Sequence, residues 1–193
     1  MWRTTAVAAF TFAVLCGPSV AADPESLELA IVGKKSLDWP YPESQKDFET
    51  LLADQRAREK AGEKRVFWPA PPDIDLDLCI TNTGKDKVSV YLGDGPSQLT
   101  LTLKGPGVTT ANPGYSTAAE LRQTHEVVLK PGKFLRIPLK RLADEVGGSQ
   151  RLIYPTAPGE YTLSATYQLL TADGRKGPLL KSDEIKLQIK EKK

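Results

Sequence analysis

The chain has 193 residues, with 26 Lys plus Arg against 24 Asp plus Glu, one His, two Cys, 15 Gly and 15 Pro. A formal charge of +2 argues against a protein that coats nucleic acid, and 40% hydrophobic with 26% charged residues is globular composition, neither disordered nor membrane-like. One imidazole and two thiols are also a poor stock for a zinc centre built from His and Cys ligands.

In chain order, the first 22 residues read as a secretory signal peptide. Arg3 supplies a short basic start, an apolar stretch runs from Ala6 to Cys16, and the small residues Ser19-Val20-Ala21-Ala22 precede Asp23. The apolar stretch is shorter than the about 20 residues a membrane span needs. Cleavage after Ala22 leaves 171 residues at +1 and removes Cys16, so Cys79 is then alone and no intrachain disulfide can form. Residues 23 to 193 are expected to form one domain that is secreted or periplasmic and lacks a membrane span, stabilised by an apolar core.

Residues Leu27 to Val32 read as a first strand ending at Gly33. Trp39-Pro40-Tyr41-Pro42 then breaks the pattern, and Phe48, Leu51, Leu52 and Gln55 follow at helical spacing with Gly62 as a stop. This predicts an amphipathic helical insert within residues 39 to 68 that covers one edge or end of a sheet. Pro69, Pro71 and Pro72 force an extended exit.

From Asp73 the period is two. Ile74, Leu76, Leu78 and Ile80 alternate with Asp73, Asp75, Asp77 and Cys79, Asn82 to Lys85 turns the chain, and Val88, Val90 and Leu92 resume the alternation. Leu99, Leu101 and Leu103 follow a Gly-Asp-Gly-Pro turn, and residues 105 to 121 read as a long loop with a short strand at most. Residues 126–129 and 135–139 are strands around Pro131-Gly132. Residues 140 to 158 offer only a helical turn near Leu142. Tyr161 to Leu169 is the cleanest alternating strand, and a loop through Gly174 and Gly177 leads to a last strand at Ile185 to Ile189.

About eight short strands, each with one apolar face, predict an all-β protein of two packed antiparallel sheets, with a closed barrel as the rival. The segments LDLCITNTGKDKVSVYLG, LTLTLKGPG, VVLKPGKFLRIPLKRL and APGEYTLSATYQ resemble uncharacterised secreted proteins with an immunoglobulin-like sandwich found in planctomycete-type bacteria. The resemblance spans about residues 73 to 190. It implies an immunoglobulin-like fold and carries no catalytic residue to transfer.

The chemistry of the remaining residues favours binding over catalysis. His125 is the sole imidazole, and no serine has a nucleophile-elbow context. Asp73, Asp75 and Asp77, with Asp94 in a following turn, are weak candidates for a metal; as alternate residues of one strand they read better as its solvated face, matched by lysines on a neighbour. Trp39, Tyr41, Phe67, Trp68 and Tyr115 are aromatics near prolines or in the long loop, able to stack on sugars or anchor a protein. Of these, Trp39, Tyr41, Trp68 and Tyr115 are the ligand-binding candidates, although Trp39 and Trp68 could instead pin the insert to the sandwich, because an amphipathic helix needs an apolar bed. The expectation is a secreted, non-enzymatic module without cofactor, contacting an extracytoplasmic protein or envelope surface. Binding of a carbohydrate or small ligand, and inhibition of an extracellular protease, are the alternatives.

Overall fold

The computed structural model describes residues 24–63, 66–93, 98–113, 124–146 and 149–191. The segment read as a signal peptide, Asp94 and Tyr115 lie outside the described residues. After a short 3-10 turn at Pro24–Ser26, the elements are β1 (Leu27–Gly33), β2 (Ser36–Asp38), α1 (Gln45–Lys60), β3 (Asp73–Asn82), β4 (Val88–Gly93), β5 (Leu99–Lys104) and β6 (Val108–Ala111). They continue with β7 (Thr124–Leu129), β8 (Phe134–Arg141), β9 (Ala143–Val146), β10 (Ser149–Pro155), β11 (Gly159–Leu170), β12 (Lys176–Lys181) and β13 (Ile185–Lys190).

The protein is mostly β, with antiparallel ladders dominating. Three strands pair in the order β1-β3-β8. A larger sheet runs β2-β13-β11-β4-β7, with β12 and β5 also paired to β11, and a small sheet has the order β6-β10-β9. The pairing of β2 with β13 is parallel. Alternation explains the burial. Leu27, Leu29 and Ile31 of β1, Leu76, Leu78 and Ile80 of β3, and Tyr161, Leu163, Ala165, Tyr167 and Leu169 of β11 all enter one shared core. Each fully buried aliphatic side chain of that set adds about 1.5–3 kcal/mol of hydrophobic stabilisation.

Described strands number thirteen where eight were expected, and two sheets become three. The eight alternating segments are all present. β6 is the short strand allowed within residues 105 to 121, and those missed are β2, β9, β10 and β12, which are short or lack a clean period of two. The correction is largest at residues 140 to 158, where two strands replace a helical turn. Leu142 is a fully buried bend between β8 and β9, its carbonyl accepting from Ile153 N–H at 2.9 Å, so this segment is held by a partner strand that its own pattern does not reveal.

The helical insert forms as its spacing predicts. Ser44 caps α1 by accepting from Asp47 N–H at 3.3 Å, and Phe48, Leu52 and Gln55 are buried along one side. Helix and sheet meet where the Phe48 ring lies 6.1 Å from that of Tyr154 on β10, and Arg56 donates to the Thr110 carbonyl on β6 at 3.0 Å. Among the described residues, no helix is long and apolar enough to cross a membrane.

Candidate interaction surface

The predicted aromatic candidates divide between core and surface. Trp39 and Tyr41 are 7% and 5% exposed. Tyr41 stacks on Phe48 with ring centroids 3.6 Å apart, Trp39 meets both rings edge-on, and the Trp39 indole N–H donates to the Glu43 carbonyl at 2.9 Å. These rings fasten α1 to the β-sheet framework, and a sugar could not stack on ring faces already covered by protein. Tyr41 keeps a buried hydroxyl without a hydrogen-bond partner among the described residues, and its burial pushes the phenol pKa far upward. A hollow of about 410 Å³ reaches one side of Trp39 and is walled by Pro42, Ser44, Pro158 and Glu191.

Trp68 lies differently. The prolines after it hold residues 66–72 extended across the small sheet, and the Tyr154 hydroxyl donates to the Pro69 carbonyl at 2.7 Å. Trp68 stacks over Tyr154 at 6.4 Å and remains partly exposed, while the neighbouring Phe67 projects outward at 78% exposure. Together with Pro71, Pro113, Arg141 and Leu152 they line a groove of about 350 Å³. The groove has aromatic and proline walls, with Arg141 and Gln150 as polar members. Sequence reading identifies Phe67 and Trp68 as aromatics beside prolines. It misses Arg141, Gln150 and Leu152, which reach the groove only because β8, β9 and β10 fold beneath it.

The aspartates of β3 engage arginines across the ladder rather than lysines. Asp73 accepts from Arg141 Nε at 3.1 Å, and Asp77 lies 3.8 Å from Arg136. Asp75 lines a shallow hollow with Lys34 and Ser36. No cluster of three His, Cys, Asp or Glu side chains able to hold a metal occurs among the described residues. Cys79 is buried and free on β3, flanked in register by Ala30 and Arg136. His125 is exposed on β7, which belongs to a different sheet from β3, so the two do not stand on adjoining strands.

Three polar arrangements that pattern reading does not reveal organise the framework. Asp144, fully buried, accepts from Leu101 N–H at 2.7 Å and from Arg151 Nε at 2.8 Å, and Arg151 also donates to the Leu101 carbonyl at 2.8 Å. This fork satisfies the main chain of β5 on the edge turned away from β11, as a paired strand would. Asn82 donates to the Asp86 and Leu129 carbonyls at 2.8 and 2.9 Å and accepts from Gly84 N–H, binding two turns together. The Tyr161 hydroxyl donates to the Ala157 carbonyl at 2.6 Å and lies 3.0 Å from that of Gly107. Its ring needs Gly105 beneath it, where a Cβ would come within 2.2 Å of the ring. No protein-family model matches the chain, and no curated protein matches it.

Proposed function

We propose that the chain is an exported immunoglobulin-like module without enzymatic activity that holds a partner protein at the Phe67–Trp68 groove. The observation carrying this reading is Phe67 itself, a large apolar ring 78% exposed beside a half-covered indole. Leaving such a ring in water forgoes stabilisation that a partner's apolar side chain recovers on contact. Proline walls keep the groove preformed, so little ordering entropy opposes binding.

The immunoglobulin-like assignment is supported by two features. The three-stranded sheet β1-β3-β8 and the sheet around β11 bury their apolar faces in one shared core, as two packed antiparallel layers do. The Tyr161 hydroxyl, near the start of the late central strand and bonded back to Ala157, has the form of a tyrosine corner. Carbohydrate binding through Trp39 and Tyr41 loses its support, because both rings are buried.

The test is site-specific photo-crosslinking with Phe67→p-benzoylphenylalanine in the protein produced by its own cells. A discrete adduct that Arg141→Ala or Trp68→Ala weakens is expected. A protein that reaches the envelope but forms no adduct at position 67, while folding as the wild type, overturns the groove as the contact.

A further inference from the structure

Basic residues that look scattered in the sequence converge at one end of the fold. Lys85 and Lys87 lie in the turn between β3 and β4, Lys130 and Lys133 in the turn between β7 and β8, and all four are exposed. The two turns interlock. Asn82 N–H donates to the Lys133 carbonyl at 2.9 Å, Gly132 N–H donates to the Asn82 carbonyl at 2.8 Å, and the Asn82 amide spans both turns. Val88 faces Leu129 in register as the last pair of the β4–β7 ladder, so Lys87 and Lys130 are the residues that leave that pair on the two neighbouring chains.

The ion pairs of the described residues engage Arg58, Lys104, Arg136, Arg141, Arg151, Arg175 and Lys186, and none of these four lysines. The carboxylates on the adjoining segments are Asp86 within the first turn, Glu25 beside Ser26, whose carbonyl accepts from Thr83 N–H at 2.8 Å, and Glu28, which faces Thr81 in register. Four cations held on a rigid frame against three acids leave this end net positive.

We propose that this end binds an acidic polysaccharide, whose carboxylate or sulfate groups pair with the ammonium groups of Lys85, Lys87, Lys130 and Lys133. The source of that polymer, the cell envelope, rests on the exported reading above; the site itself is distinct from the groove. A chain carrying one acid per sugar repeats its charge on the scale of one inter-strand spacing, which suits lysines displayed from neighbouring strands. A bilayer fits less well. The large exposed apolar side chains near this end are Phe134, with the Arg136 guanidinium over its ring at 5.3 Å, and Val128 on β7, too few to anchor in a lipid layer. Nucleic acid would need open aromatic faces for its bases, and this single ring is already faced by a cation.

The experiment measures binding of the purified protein to polygalacturonate, dextran sulfate, neutral dextran, anionic phospholipid vesicles and duplex DNA at low and at roughly physiological salt. Binding to the two acidic polymers alone, weakened by salt, is expected. An exposed lysine facing a partner charge is worth roughly 1.5- to 5-fold in affinity. Lys→Gln at all four positions should therefore weaken binding at least about fivefold. The double variant Lys46→Gln and Lys60→Gln, on α1, should bind as the wild type, and circular dichroism verifies that each variant folds. Equal loss in the α1 variant, undiminished binding by the fourfold variant, or binding confined to anionic vesicles or to DNA overturns the inference. None of those results bears on crosslinking at Phe67, so the two readings fail separately.

Discussion

Asp144 and Arg151 show how much one pair of residues can settle. Asp144 has no exposed side chain and Arg151 is about a quarter exposed, and both are spent on the backbone of Leu101 and on each other. Removing the carboxylate leaves a half-buried guanidinium and a main-chain donor unpaired. Asp144→Ala should cost about 3 kcal/mol, read as a lower urea midpoint at unchanged slope, whereas Asp144→Asn, which keeps an acceptor for Leu101 N–H, should cost less. Tyr161 acts at the same scale. Tyr161→Phe keeps the ring over Gly105 but deletes the hydrogen bond to Ala157, and should cost about 1–2 kcal/mol in the same measurement. Neither role is visible in sequence: Asp144 stands in a segment without periodicity, and its partner strand, β5, is more than 40 positions away.

At the scale of elements, α1 is legible because its evidence is local. Ser44 and Asp47 form the cap, Phe48, Leu51 and Leu52 form the stripe, and Gly62 follows the C-terminal Ala61. What the stripe rests on is not local. Phe48 is fully buried against Tyr41 and Tyr154, and Phe48→Ala should cost about 3–5 kcal/mol. Because Phe48 is the fully buried aromatic anchor of the helix, the variant should become sensitive to limited proteolysis within residues 45–60 before the strands are cut, a pattern read by mass spectrometry. β11 is equally legible, its alternation unbroken from Tyr161 to Leu169. β9, β10 and β12 are not, since a short strand between better ones gains its pairing from neighbours rather than from its own side chains.

At the scale of the whole molecule, buried tyrosines couple the fold to alkaline pH. Burial raises the phenol pKa of Tyr41, Tyr154, Tyr161 and Tyr167 above the ordinary value, and for Tyr41 and Tyr154 the rise is large. The unfolded chain releases these protons near pH 10, while the folded chain retains them. Above that pH the folded state binds more protons, so stability is intact below about pH 10 and falls as pH rises further. Tyrosinate absorbance should therefore appear for these residues together with the loss of circular dichroism, and gradual ionisation at intact ellipticity would contradict their burial. The exported reading makes its own prediction at this scale: the protein isolated from its cells should begin at Asp23 by N-terminal mass analysis.

The sequence alone determined the all-β class of the protein, its strongest strands and the helix at 45–60, because a period of two, a period of 3.6 and a capping serine are written into consecutive residues. It also identified the aromatic and acidic candidates, but not their fates. Only the tertiary structure decided that Trp39 and Tyr41 lie inside while Phe67 faces water, that the β3 aspartates meet arginines, and that two pairs of lysines more than 40 positions apart share one end. The physical reason is the same in each case. Exposure and charge density are properties of surfaces, and a surface is assembled by strand pairing between distant segments, which no local pattern of residues specifies.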